Sequence, residues 1–142
     1  MTKLESEMSA PWHMWVLGVL LLLGNGLATV DYIMTVICYE PYLAGHPEEA
    51  LAYFFNAPLW MYVMWGISMI GGLVGTILLL MRRRAAVPVF AIAWICSVIA
   101  VAYSVVNPFP GGGSILFAIA VIMITFLILV YFHWLQRRGV LR

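Results

Sequence analysis

The 142-residue chain is 65% hydrophobic and 9% charged, with a formal net charge of +1 and a mean hydropathy of +1.03. Ordinary globular domains carry about 25% charged residues, so this composition excludes a soluble domain with a polar surface. The near-neutral charge excludes a broad basic surface for nucleic acid. Two cysteines provide neither a disulfide framework nor metal-ligand spacing, and we expect Cys38 and Cys96 to lie too far apart to bond.

Four apolar segments follow one another along the chain, and residues 85–132 contain no Asp, Glu, Lys or Arg. A bilayer crossing takes about 20 apolar residues as helix. The continuous aliphatic runs lack the alternation of barrel strands, so helices are favoured. We predict an all-α polytopic membrane protein, a single four-helix transmembrane domain over residues 1–142 arranged as two hairpins. The predicted helices lie near 12–38, 57–81, 86–107 and 114–135.

The first predicted helix has a rival interpretation as a signal peptide, because Gly26 and Ala28 resemble a small-residue cleavage site. Its N-terminal flank holds one Lys beside two Glu, and its apolar stretch continues beyond that site. Both features favour a retained transmembrane helix.

The loop between the first two predicted spans contains His46-Pro47-Glu48-Glu49, which has the features of a helix start. Proline is tolerated in a first turn, and carboxylates there meet the positive end of the helix dipole. Apolar residues then recur at helical spacing, which predicts a short interfacial helix over residues 47–55. A structural lid or anchor is the favoured interpretation, and a gate over a cavity is the alternative.

Proline and glycine predict the turn of the second hairpin, because Pro108 and Pro110 are followed by Gly111, Gly112 and Gly113. Proline lacks the amide hydrogen and glycine lacks helix preference, so a helix ends there.

Arginines predict the orientation of the hairpins. The loop over residues 39–57 contains three Glu and neither Lys nor Arg. Short loops that carry Lys and Arg stay in the cytoplasm, so both termini are expected to be cytoplasmic. The residues assigned to topology and to contact with anionic lipid are Arg82, Arg83, Arg84, Arg137 and Arg138.

Asp31 is the strongest candidate for chemistry, because a carboxylate within a span is costly unless it is paired, hydrated or protonated. Asn25, deeper on the same helix, is expected to be a hydrogen-bonded tie between helices. Asp31 is either a proton- or cation-binding group or a structural tie between helix ends. The side chains expected at its depth on the next two helices are Tyr62, Trp65, Tyr103 and Ser104.

Small residues predict close helix packing at two places. Gly24 and Ala28 share a stripe with Asp31 on the first helix. Gly71 and Gly75 form a GxxxG pair on the second, with Gly72 on a neighbouring face. Two adjacent small faces predict that the second helix packs against two partners.

Several runs of this sequence together resemble one known family. They are Trp15-Val16-Leu17-Gly18, Asp31-Tyr32-Ile33-Met34-Thr35, Pro47-Glu48-Glu49-Ala50-Leu51-Ala52-Tyr53-Phe54 and Pro58-Leu59-Trp60. The chain is similar to small four-span inner-membrane proteins of proteobacteria that are often labelled sugar transporters. The resemblance covers most of the chain. It implies the four-span topology, a bacterial inner (cytoplasmic) membrane location, an interest in Asp31 and, through that label, transport.

No catalytic constellation, nucleotide loop or haem site is visible in the sequence, so we expect neither an enzyme nor a bound cofactor or metal. The favoured function is an accessory membrane component that packs against other helices. The alternative is a small transporter for protons, ions or a sugar-like solute, acting as a homo-oligomer because four short helices enclose little volume. Expected partners are the lipid bilayer and either a second copy or another membrane protein, with no nucleic acid.

Overall fold

The computed structural model describes residues 9–108 and 115–142, which form six helices and no β-strand. Four of these helices are long and apolar enough to cross a membrane, which confirms the predicted all-α fold with four membrane-length helices. The helices are α1 (Trp12–Val36), α2 (Glu40–Leu43), α3 (Glu48–Phe55), α4 (Leu59–Leu80), α5 (Ala86–Val106) and α6 (Ile115–Arg137).

The helix bounds differ from the predicted ones by only a few residues, except at the four-residue helix α2, which the sequence did not predict. The predicted turn residues 109–113 and the predicted start of the fourth span at Ser114 lie outside the described residues. Asn56 ends α3, and Pro58 is the residue that precedes α4.

Two long helices end in a left-handed turn made by a residue other than glycine. Cys38 has φ 54° and Arg82 has φ 57°. These turns let Tyr39 N donate to Met34 O at 3.0 Å and Arg83 N donate to Leu78 O at 2.8 Å. The bonds satisfy carbonyls that a helix end otherwise leaves without a partner. The first turn directs the chain into α2, and the second joins α4 to α5.

Each long helix packs against the next one in the chain: α4 lies between α1 and α5, and α6 packs on α5. Glycines bring α4 close to both neighbours. A methyl group on Gly72 would lie 2.6 Å from Asn25 Oδ1 on α1, and one on Gly75 would lie 3.2 Å from Phe90 Cβ on α5. A methyl group on Gly71 would lie 3.0 Å from Ala93 Cβ. These positions therefore leave no room for a larger side chain without movement of a neighbour.

The end of the bundle that carries Arg82–Arg84, here called the arginine end, is closed by apolar packing. Its largest core side chains are fully buried, and the C-terminal residues contribute to the same cluster. Arg142 N donates to Arg82 O at 2.6 Å, and Arg84 N donates to Arg142 O at 2.9 Å. The largest fully buried side chains of this apolar cluster are Met14, Leu79, Phe132, Leu135 and Leu141. The opposite end, here called the loop end, carries α2 and α3.

Candidate functional site

Asp31 is paired with a residue that the sequence analysis did not select. Tyr42 in α2 donates its phenolic hydrogen to Asp31 Oδ1 at 2.5 Å. His46 Nδ1 lies 3.1 Å from the backbone oxygen of Tyr42, and the His46 and Tyr42 rings lie 4.9 Å apart. The short turn at Cys38 brings α2 back over the end of α1, which places this phenol at the carboxylate. Asp31 therefore ties α2 to α1.

The pairing predicted for Asp31 with α4 and α5 is wrong, because the candidate partners make other contacts. Tyr62 donates to Phe54 O, and Trp65 stacks on the Phe54 ring at 5.2 Å. Tyr103 packs edge-on against Trp60. Ser104 Oγ accepts a hydrogen bond from Tyr53 and donates to Ala100 O. These residues hold α3 against α4 and α5 instead of satisfying the carboxylate.

Hydrogen bonding to Asp31 is the main cause that raises the pKa of Tyr42 above its usual value, followed by partial burial and the repulsion of the carboxylate. A phenol that keeps its proton remains a donor, so the bond persists through the physiological pH range. This pairing supports the structural interpretation of Asp31 that the sequence left open.

Asn25, in the middle of α1, links that helix to the second half of α4. Its side-chain amide donates to Leu21 O at 3.0 Å and to Thr76 Oγ1 at 3.3 Å. Thr29 extends the same contact, because its single hydroxyl hydrogen is within reach of two carbonyls, Asn25 O at 2.7 Å and Met69 O at 3.2 Å. These bonds make Asn25 the hydrogen-bonded tie that its position suggested.

Beside Asn25 lies a cavity of about 220 Å³ to which all four long helices contribute. We call it the central cavity, because its lining residues come from the middle of each helix. Among the described residues, the hydroxyls of Ser68 and Ser97 have no hydrogen-bond partner, although both line the cavity. The polar lining residues are Asn25, Ser68, Ser97 and Thr125. A site of this kind offers hydrogen bonds without a charge.

A second cavity of about 370 Å³, the aromatic cavity, lies next to the central one on the side of the loop end. The two cavities share Ser68, Met69 and Ser97, so these side chains form the boundary between them. Aromatic rings and a third hydroxyl complete the lining, namely Tyr53, Phe54, Trp65 and Ser104. Aromatic faces beside hydroxyl groups suit a solute that has both apolar and polar surfaces.

A third cavity of about 470 Å³, the surface cavity, opens at the loop end and shares Tyr53 with the aromatic cavity. Glu49, Asn56 and Asn107 give it a polar rim. The three cavities therefore follow one another from the loop end to the middle of the bundle. Below the central cavity the buried cluster of the arginine end closes the path.

Sequence reasoning selected only a few of the residues that line this row of cavities, namely Asn25, Ala28, Trp65, Gly72, Tyr103 and Ser104. Serine and threonine are common in membrane helices, where they bond to the carbonyl one turn back, so Ser68, Ser97 and Thr125 did not stand out. Their shared depth halfway along three different spans is the signal that could have selected them. Tyr53 was visible only as part of an amphipathic helix.

The remaining predicted residues are the small residues of α1, predicted to pack against other helices, and the arginines of the arginine end. Among the residues that the structure describes, a methyl group placed on Gly24 would have nothing within 4 Å, so Gly24 contacts no other described helix, whereas Ala28 lines the central cavity. Arg82 Nε and Arg84 Nε donate to the carbonyls of Val140 and Leu141. The guanidinium of Arg138 lies 4.7 Å from the centre of the Trp134 ring, and Arg83 and Arg137 are exposed.

Metal-binding side chains are scattered. Within residues 9–108 and 115–142, no three His, Cys, Asp or Glu side chains are grouped as a metal site requires. Both cysteines are free thiols, with Cys38 exposed and Cys96 buried.

Comparison with protein-family models, with curated proteins and with solved structures gives no match to this chain. The four membrane-length helices are those expected of an integral membrane protein.

Proposed function

We propose that this protein is a small solute transporter that admits an uncharged polar solute from the loop end into the centre of its helix bundle. The observation that carries the proposal is the row of three cavities. The surface and aromatic cavities share Tyr53, and the aromatic and central cavities share Ser68 and Ser97. A single chain supplies the binding space, so the proposal requires no second copy for binding. The sealed arginine end is then the closed side of an alternating-access cycle.

An uncharged solute is favoured over an ion by the chemistry of the lining. None of the described residues that line the central and aromatic cavities is Asp, Glu, Lys, Arg or His. A charge carried into a low-dielectric bundle needs an opposite charge or a hydration shell, and hydroxyl and amide groups alone provide little compensation. Asp31 lies outside these cavities, in its bond with Tyr42, so the proton- or cation-carrier alternative loses its main support.

The orientation follows from the arginines. With Arg82–Arg84 on the cytoplasmic side, the loop end and its surface cavity open away from the cytoplasm. In a bacterial inner membrane, that orientation makes the outer side the entrance for a small neutral solute.

Flux into sealed vesicles tests the proposal. Proteoliposomes are exposed to a graded series of neutral polyols, from glycerol to hexitols, and their reswelling is followed by stopped-flow light scattering. We expect entry faster than into protein-free vesicles up to a size limit set by the cavities. Ser97→Leu, which fills the boundary between two cavities, should reduce entry to the protein-free rate.

The matched control is Ala102→Leu, because Ala102 is exposed on the same helix and lines none of the three cavities. It should leave entry unchanged. Equal rates with and without protein for every polyol would contradict the proposed function.

An accessory membrane component is the second candidate, and Gly24 is the observation that favours it. The space beside Gly24 is open, and its neighbours Leu20, Leu23 and Leu27 are all exposed. A small residue on an unoccupied helix face allows a partner helix to approach closely. This candidate predicts silent vesicles together with a membrane partner whose co-purification is abolished by Gly24→Leu and kept by Ala102→Leu.

A further inference from the structure

Tyr53 stands between the surface cavity and the aromatic cavity and lines both of them. It lies on α3, and its hydroxyl donates to Ser104 Oγ on α5 across 3.4 Å. Its ring is 6.5 Å from that of Tyr103. The side chain therefore spans the gap between α3 and α5 at the point where the two cavities meet.

The helix that carries Tyr53 is short and lies at the bundle surface. It has eight residues, Glu48–Phe55, and it follows Pro47. At its C-terminal end, Tyr62 donates to Phe54 O and the Phe54 ring stacks on Trp65. The backbone of α3 is thus fixed beside Tyr53, so opening of the passage requires movement of the Tyr53 side chain. Its ring packs against those of Phe54 and Tyr103, and its bond to Ser104 is long. Such bonds contribute little net free energy and open readily.

The rim of the surface cavity carries one charge. Glu49 lines this cavity together with the amides of Asn56 and Asn107, whereas Glu48, its neighbour in the chain, does not. No Lys or Arg lies between residues 4 and 81 to balance that charge at the loop end. A carboxylate at the rim of a cavity attracts cations and repels anions.

We propose that Tyr53 is a gate between the surface cavity and the interior cavities, and that Glu49 sets the charge preference of the entrance in front of it. The inference rests on the proposed function, since a gate serves a solute that passes it. The gate nevertheless has a consequence that does not need transport: water-soluble reagents that enter from the loop end reach Ser97 faster when Tyr53 moves aside.

Cysteine accessibility tests the gate. Cys38→Ser and Cys96→Ala remove the native thiols, and Ser97→Cys places one thiol beyond the gate. The protein is held in lipid nanodiscs, where both ends meet water, and labelling by a cationic methanethiosulfonate is timed. Because Tyr53→Phe removes the hydrogen bond to Ser104, we expect labelling about threefold faster, and Tyr53→Ala, which also removes the ring, should give about tenfold.

Ala86→Cys is the matched control for general loosening of the bundle, because Ala86 is fully buried in the cluster at the arginine end. Its thiol should stay unlabelled in every Tyr53 variant. Unchanged labelling of Ser97→Cys in both Tyr53 variants, or equal acceleration at Ala86→Cys, would overturn the gate.

The charge of the entrance is measured by comparing the cationic reagent with an anionic one of similar size. We expect the cationic reagent to label Ser97→Cys about threefold faster than the anionic one, after correction for intrinsic reactivity. Glu49→Gln should bring the ratio to one, while Glu48→Gln should keep it. If Glu49→Gln leaves the ratio of cationic to anionic labelling rates unchanged, Glu49 does not set the charge preference of the entrance.

The two proposals fail separately. If labelling in nanodiscs responds to the Tyr53 variants but proteoliposomes show no polyol flux, the gate stands and the transport function is removed. Polyol flux with accessibility that ignores Tyr53 keeps the function and removes the gate.

Discussion

At the scale of single residues, the main difference from expectation concerns Asp31. A carboxylate within a span needs a partner, and the sequence located that need correctly. The partner is Tyr42, which the left-handed turn at Cys38 brings back over α1. Residues other than glycine seldom adopt this conformation, so a sequence pattern cannot predict the turn. The sequence therefore located the residue that needs a partner but missed the partner itself.

The Asp31–Tyr42 bond predicts that the stability of the folded protein falls at alkaline pH. The pKa of Tyr42 is raised in the folded protein, so its contribution is fully present below about pH 10 and is lost as pH rises through the raised value. We expect Tyr42→Phe to cost about 1 kcal/mol below pH 10. The difference in melting temperature between wild type and Tyr42→Phe should shrink as the pH rises past 10 and vanish once the pH exceeds the raised pKa of Tyr42. A difference that persists through the alkaline range would contradict the assignment.

At the scale of elements, lipid is what makes the long helices predictable. A span must satisfy its own backbone and present apolar side chains, so the predicted and observed bounds of α1, α4, α5 and α6 nearly coincide. The helix α2, with only four residues, has no such constraint and escaped prediction. The same reasoning explains why Gly71, Gly72 and Gly75 were selected, because close approach in lipid requires small residues.

Replacing glycines tests whether α4 is the central packing element. Gly75→Val forces extra methyl groups against Phe90 and should destabilise the protein by about 1–3 kcal/mol. Gly24→Val meets open space and should cost far less. Unfolding of both variants in mixed micelles provides the measurement. Equal destabilisation of the two would mean that Gly24 packs as tightly as Gly75.

At the scale of the whole molecule, one end of the bundle is closed and the other contains cavities. The sequence gives no sign of this asymmetry, because the closure depends on Val140 and Leu141 folding back beneath the Arg82–Arg84 turn. Charge patterning identified these arginines as topology residues, and the structure adds that the backbone and side chains of Arg82 and Arg84 hold the C-terminal segment. The cavities could not be predicted, because they depend on how far the helices splay.

Truncating Leu141 tests the closure of the arginine end. Leu141 is fully buried, so Leu141→Ala should cost about 2–3 kcal/mol of unfolding free energy. Leu127 on α6 is 63% exposed, so Leu127→Ala is a matched control that should change stability far less. Chemical unfolding in micelles compares the two. If Leu127→Ala costs as much as Leu141→Ala, the C-terminal segment does not close this end.

The most direct measurement of the central claim is water contact along the bundle axis, obtained by water-edited solid-state NMR of the protein in bilayers. A cavity path from the loop end predicts rapid magnetisation transfer from water to Ser68 and Ser97 and none to Leu79 and Phe132. Dry serines would contradict the account, as would equal hydration of Leu79 and Ser97.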